Sequence, residues 1–389
     1  MSGQAENGSK DAHKKKHTLR NVIIAIPCVL VFLILAIFIF QKARLAFGFP
    51  KLNKNPKIGQ WYSIYPEGAK SSDGSEWYGL MRLGSSDKVI VYFFGGGVSI
   101  DEYTAAHPGS FYTANANNQA VLTDGGISSG GKENLFRDWT ILVCPYSTGD
   151  FHTGTGEYPY TDDRGNQKVL YHNGYLNYSL FLDEALKYVG APDTLLVTGF
   201  SAGGFAASLL ADDVISRFPS ASNATVAVDS SLLLMDNWHD VAANIWHSPE
   251  EISERLHTDN IVLDSLTALS NKRGDSVKIL FDCSVRDGEL TKYQSYIDTG
   301  VSNANAETGD VFQANLKAMV EGLQQNIPNV GIYIWDGYSY LFDKNLTQHT
   351  IISTQFFAPL NGGRSICDWI MDAVNGDVQT YGLDLFDQY

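Results

Sequence analysis

The amino-acid sequence predicts a doubly wound, mostly parallel α/β sheet preceded by one N-terminal transmembrane helix. Three features carry that prediction. First, six short runs recur along the chain: KVIVYFF (88–94), TILVC (140–144), TLLVT (194–198), ATVAV (224–228), VKILF (277–281) and VGIYIW (330–335). They are apolar throughout rather than alternating, as strands are when both faces of a parallel sheet are covered. Second, amphipathic stretches separate them, such as Leu176 to Tyr188, where Leu180, Leu182, Ala185 and Leu186 can form an inner face. Third, Val22 to Phe40 is a nineteen-residue run without a charge. As a helix it covers about 28 Å, close to the thickness of a bilayer's hydrocarbon core.

Each element has a local reason. The 22–40 run follows Lys10, Lys14, Lys15, Lys16 and Arg20 and precedes only Lys42 and Arg44. The heavier positive flank predicts a cytoplasmic tail over 1–21, an anchor over 22–40 and an extracytoplasmic remainder in a single-pass cell-membrane protein. A cleaved signal peptide would have a shorter apolar core and a small-residue cleavage site. Residues 41–60, with Pro50, Asn53, Asn55, Pro56 and Gly59, read as a linker, and 61–389 as one domain. Of 389 residues 44% are hydrophobic and 18% charged, enough apolar surface for a packed core. The formal charge of −15 is unevenly spread: residues 1–44 carry seven basic and two acidic side chains, the rest 21 and 41. So acidic a body would repel phosphates, which excludes nucleic acid as a partner. Cys144, Cys283 and Cys367 have no zinc-like spacing with one another or with histidine. They read as small buried residues, although one disulfide could form among them. Neither a metal nor a cofactor is expected.

The chemistry concentrates after TLLVT, where Gly199-Phe200-Ser201-Ala202-Gly203-Gly204 fits G-x-S-x-G and runs into FAASLLADDVI. A serine between a strand and a helix on a sharp turn can act as a nucleophile, its small neighbours letting adjacent segments approach. A nucleophilic serine needs a base, and the order serine, acid, histidine leaves four histidines downstream. His239, His247 and His257 fall in a Trp-rich segment that reads as helical, whereas His349 follows the last strand, where the base belongs. For the acid, VKILFDCSVRDGEL offers Asp282 at a strand end and Asp287 on the turn beyond it. Asp287 is preferred, because the acid of such a set sits past the strand; Asp336 and Asp343 precede His349 on its own segment. Gly95-Gly96-Gly97 after KVIVYFF lets backbone approach a ligand. An oxyanion could take one amide from there and a second from Ala202.

These stretches resemble the pectinacetylesterase family, notably VYFFGGGVS, GFSAGGFAA, SSGGKENLFRDWTILVCPYSTGDFHTG, LTQHTII and SICDWI. The resemblance extends patchily over about residues 60–375. It implies an α/β-hydrolase fold, Ser201 as nucleophile, His349 as base, Asp287 as acid, and Gly97, Val98 and Ala202 as oxyanion donors. It also implies a serine esterase removing O-acetyl groups from carbohydrate by a Ser-His-Asp acyl-enzyme route. Two departures stand out. Phe94 occupies a position where the family has Glu, and Val98-Ser99 stands for Trp-Cys, so substrate choice does not transfer. Most of the family's cysteines are missing. Asp150 and His152 in the Gly-Asp loop read as structural or substrate-contacting. Trp61, Tyr62, Trp77, Tyr78, Tyr103 and Tyr112 could stack on sugar rings or lie in the core. Two alternatives remain: a deacylase of lipid or lipoprotein esters, and a non-catalytic binding module on the same fold.

Overall fold

The computed structural model describes residues 48–337, 345–360 and 363–388. The basic tail and the predicted membrane span 22–40 lie outside the described residues, as does Asp343. Among the described residues no helix is long and apolar enough to cross a membrane. Residues 50–389 form one compact unit. Part of the stretch expected as linker is tied into it: the Leu52 amide donates to the Ser63 carbonyl and the Ser63 amide to the Pro50 carbonyl, both at 2.9 Å.

Among the described residues the unit contains ten strands and six longer helices. In chain order they are β1 (Trp61–Ile64), β2 (Gly79–Arg82), β3 (Lys88–Phe93), β4 (Thr140–Cys144), β5 (Gly156–Thr161), β6 (Gln167–His172), α1 (Gly174–Ala185), β7 (Thr194–Phe200), α2 (Ala202–Leu209), β8 (Asn223–Asp229), α3 (Ile261–Arg273), β9 (Val277–Ser284), α4 (Gly288–Thr299), α5 (Ala306–Asn326), β10 (Gly331–Trp335) and α6 (Ile366–Val374). Eight strands make one sheet in the order β1-β2-β4-β3-β7-β8-β9-β10. The six strands from β4 to β10 are mutually parallel; β1 and β2 join antiparallel at one edge. The six apolar runs all became parallel strands. Their residues are buried at successive positions, so both faces of the sheet are covered. This is the mostly parallel α/β architecture of the α/β-hydrolase type.

Three elements differ from expectation. Strands β1 and β2 are four residues each, too short for periodicity to mark them. The β5–β6 hairpin alternates weakly and stands apart from the main sheet. The Trp-rich segment is not one helix: Trp238–Asp240 runs directly into a π-helical Val241–Ile245, and His247 at φ +52° and Pro249 separate these from Glu250–Ser253. Its tryptophans drive the packing, since Trp238 and Trp246 are buried against Phe151, and Phe151 stacks on Phe205 of α2 at 4.1 Å.

Order in the sheet reverses at β3. The chain steps from β3 to β4 on one side and to β7 on the other, leaving a crevice beyond the carboxyl ends of β3 and β7. Open α/β sheets bind ligands at such a switch point. Helix α2 begins immediately after β7 and packs on β7, β8 and β3. That packing is possible only without side chains, because a Cβ on Gly203 would collide with the Phe93 carbonyl oxygen and one on Gly204 with the Ser231 hydroxyl. Gly203→Ala is expected to destabilise the fold by about 1–3 kcal/mol, the cost typical of overpacking, read as a lower urea midpoint at unchanged slope.

Candidate active site

Ser201 sits on the turn between β7 and α2 with φ +54° and ψ −127°, a conformation rarely adopted by a residue with a Cβ. The surroundings hold it there. Its amide donates to the Asp229 carbonyl at the end of β8, at 2.9 Å, and the Ser231 hydroxyl donates to the Ser201 carbonyl, also at 2.9 Å. Ala202 opens the helix, so its amide has no partner one turn back.

His349 and Asp287 meet. The His349 Nδ1 lies 2.7 Å from the Asp287 Oδ2. The pairing is prepared by backbone: Asp287 and Thr347 form an isolated parallel bridge, the Thr347 amide donates to the Arg286 carbonyl, and the Gly288 amide donates to the Thr347 carbonyl. The other carboxylate oxygen of Asp287 caps α4, accepting the Glu289 and Leu290 amides at 3.0 Å each. Buried Arg286 ties the same loops, donating to the Asn345 and Ala306 carbonyls and to the Asp310 and Gln313 side chains. Burial disfavours a charged His349. The Asp287 carboxylate and its hydrogen bond, with weaker contributions from Asp229 and Glu289, more than offset this and raise the imidazole pKa.

Asp282 lies elsewhere. It is the register partner of Asp229 across β8 and β9, fully buried. Burial, then the neighbouring Asp229 charge, pushes its carboxyl well above the usual range. A neutral, buried acid at that point orients no histidine. Asp336 follows β10 and is exposed. His239, His247 and His257 are exposed on the Trp-rich segment.

The glycine segment after β3 lies against the serine turn, since a Cβ on Gly95 would stand 2.7 Å from the Ser201 Cβ. Gly97 has φ +81°, and a Cβ there would strike the Phe111 carbonyl and the Tyr293 hydroxyl. Among the described residues, neither the Gly97 nor the Ala202 amide meets an acceptor. Val98 is a correction: its amide donates to the Phe111 carbonyl at 2.8 Å, in a small ladder around the Gly97–Tyr112 bridge, and is not free for an oxyanion. A residue-by-residue transfer could not show this, because the pairing depends on where residues 111–112 fold back.

Asp150 and His152 lie deep in the molecule. The Asp150 carboxylate accepts from the Thr148 hydroxyl and from the His152, Gly154 and Gly174 amides, and burial pushes it up to about 6. His152 donates through Nε2 to the Phe94 carbonyl at 3.0 Å, and burial lowers it to about 4, so the ring is neutral. The pair braces the start of the glycine segment. Of the six aromatic residues read as sugar platforms, Tyr62, Trp77 and Tyr112 are core, and only Tyr103 is largely exposed, at 53%.

Sequence reasoning stopped one residue short at β8. The run ATVAV continues into Asp229-Ser230-Ser231, which touches both the serine turn and the histidine loop. An acidic residue closing an apolar run, followed by two serines, was the available signal.

The fold and this crevice define a protein of the α/β-hydrolase type with a serine on a strained turn and a histidine–carboxylate pair, all beyond the carboxyl ends of the parallel strands. Comparison with known families gives the more particular assignment: the Pectinacetylesterase profile matches residues 62–256, and the chain belongs to that family of carboxylic ester hydrolases. The match takes in the glycine segment and Ser201 and ends before Asp287 and His349. No curated protein matches the chain. Replacing Asp287 by Asn is expected to lower kcat for ester hydrolysis at least about a hundredfold, as loss of the group that fixes the base's tautomer does; Asp282→Asn should cost far less, and the opposite order would reverse the choice of acid.

Proposed function

We propose that the chain is a membrane-anchored serine esterase facing away from the cytoplasm, with O-acetylated carbohydrate as its substrate. The observation that carries the reading is the 2.7 Å contact of His349 Nδ1 with buried Asp287, at the carboxyl-terminal end of the strands, which also bears the strained Ser201 turn. With Nδ1–H donated to Asp287, the ring's Nε2 has its lone pair available as a base.

The mechanism follows from these positions. The Ser201 Oγ attacks the ester carbonyl carbon while His349 Nε2 takes its proton. The carbonyl π pair moves to oxygen, and the amides of Gly97 and Ala202 hold that oxyanion, aided by the positive end of α2. Collapse breaks the bond to the sugar oxygen, which leaves with the proton from His349. Water then gives a proton to His349 and adds to the acyl-enzyme; collapse of that intermediate breaks the bond to Ser201 Oγ, which takes the proton back from His349 as acetic acid leaves. Asp287 steadies the imidazolium in both halves.

Aromatic faces for a sugar are present in a cleft of about 620 Å³ whose lining includes neither Ser201, His349 nor the glycine segment. Tyr103, Phe111, Lys292 and Tyr296 line it, with Tyr103 stacked on Tyr296 at 5.7 Å. Phe111 joins it to the site through its carbonyl, which accepts from Val98. The anchor is the apolar run 22–40 with its basic N-terminal flank.

The test is hydrolysis of nitrophenyl acetate and octanoate by the full-length protein in detergent, beside Ser201→Ala and His349→Ala. Wild type should prefer acetate and label with a fluorophosphonate at Ser201. Each variant should lose about a thousandfold or more in kcat. Because the working base is neutral and its pKa is raised, kcat/KM should fall as pH drops through a value above the ordinary imidazole pKa of about 6.5. A folded wild type no faster than its variants, and unlabelled, sinks the esterase reading; preference for octanoate moves the substrate class to longer acyl chains.

A further inference from the structure

Asp229 has no part in the mechanism just given, yet it is bonded to both the serine turn and the histidine loop. Its carbonyl accepts the Ser201 amide at 2.9 Å. Its Oδ2 accepts the Ile351 and Ile352 amides, both at 2.9 Å, and its Oδ1 accepts the Ser230 hydroxyl at 2.7 Å. With its proton given to Asp229, the Ser230 oxygen accepts the Thr350 amide at 3.2 Å. Three successive amides after His349 thus end on one carboxylate and its neighbouring hydroxyl. Thr350 has φ +62° and Ser230 φ +53°, so two strained residues are joined by that bond.

The charge state follows from the donors. Asp229 and Asp282 are adjacent and fully buried, where two bare carboxylates would repel strongly. Asp229 has three donors, whereas the Asp282 carboxyl faces only the Asp229 carboxyl and the Trp335 indole N–H. The single proton of the pair therefore sits on Asp282 and the charge on Asp229.

We infer that Asp229 is a second carboxylate serving the base: it positions the His349 loop through residues 350–352, and its charge, added to that of Asp287, stabilises the imidazolium. The inference rests on the Ser201–His349–Asp287 reading above. Among the described residues, the other ionisable groups around Asp229 and His349 are Asp282 and Cys283 on β9, Tyr92 on β3, and Asp287 and Glu289 at the start of α4. Burial keeps the Cys283 thiol and Tyr92 phenol neutral. Removing the Asp229 charge alone would let Asp282 ionise in its place, so both must be replaced to leave the pair uncharged.

The experiment is the Asp229→Asn/Asp282→Asn double variant of the full-length protein, with Ser230→Ala beside it. For each, kcat, KM and the pH profile of kcat/KM are measured, and His349 is titrated by NMR of isotope-labelled histidine, assigned with His349→Gln. In the double variant kcat should fall about tenfold to a hundredfold with KM nearly unchanged, as for a misplaced catalytic group. Its acidic limb and its His349 titration should both move to lower pH, a displacement that a purely structural role would not produce. In Ser230→Ala, kcat should fall while the limb stays where it is. A folded double variant whose His349 titrates as in wild type overturns the inference. If the double variant does not fold, an unchanged kcat in Ser230→Ala overturns it instead. An inactive wild type would count against the esterase reading alone, because the NMR titration reports on Asp229 and His349 without turnover.

Discussion

The site depends on one constraint: the backbone at Ser201 is bent into a region that L-residues avoid, and neighbouring backbone must hold it there. A residue so placed costs roughly 1–3 kcal/mol unless its surroundings leave no alternative. Here the end of β8 supplies the restraint, through the Asp229 carbonyl on one side of the turn and the Ser231 hydroxyl on the other. Close approach of α2 to β3 removes the space into which the turn could relax, which is why Gly203 and Gly204 are bare. The same tripeptide, Asp229-Ser230-Ser231, reaches the histidine loop. Strain at Ser201, Ser230 and Thr350 is one connected feature.

Four buried carboxyls surround or underlie this region, and each survives burial by different means. Asp150 is met by four donors, three of them backbone amides. Asp287 divides its oxygens between a helix N-terminus and an imidazole. Asp229 takes two amides and a hydroxyl, and Asp282 keeps a proton. An unpaired carboxylate would cost far more than any of these arrangements. The acidity of the chain thus has two parts, a solvated surface and a small set of interior groups with a fixed partner for each.

Most of the sheet was legible in the sequence, because a strand covered on both faces must be apolar at every position and short enough to stand out from helices. VKILF and TILVC are such strands, and their ends marked where loops with chemistry would begin. Ser201 was legible for a related reason: a strained turn between strand and helix needs a restricted set of small residues. What stayed hidden depended on long-range pairing. The Val98 amide is taken by Phe111, thirteen residues on, through a bridge that no local pattern announces. The turn past β9 favours Asp287 over Asp282 in sequence, but that Asp287 meets His349 depends on the Asp287–Thr347 ladder. The break in the Trp-rich segment falls after Trp246, where His247 turns to a positive φ and Pro249 precedes the next short helix, while Trp238 and Trp246 stay docked around Phe151.

Cys144, Cys283 and Cys367 are free, buried, and placed on β4, β9 and α6. No bond between sulfurs closes the described fold, so its assembly calls for no oxidant, and a reducing medium takes no crosslink from it. The thiols also sample the sheet near one end, its far half and the helix laid over β8 and β9. An alkylating reagent can reach them only when those regions open, so their separate modification rates would record whether the two halves of the sheet come apart together or in turn.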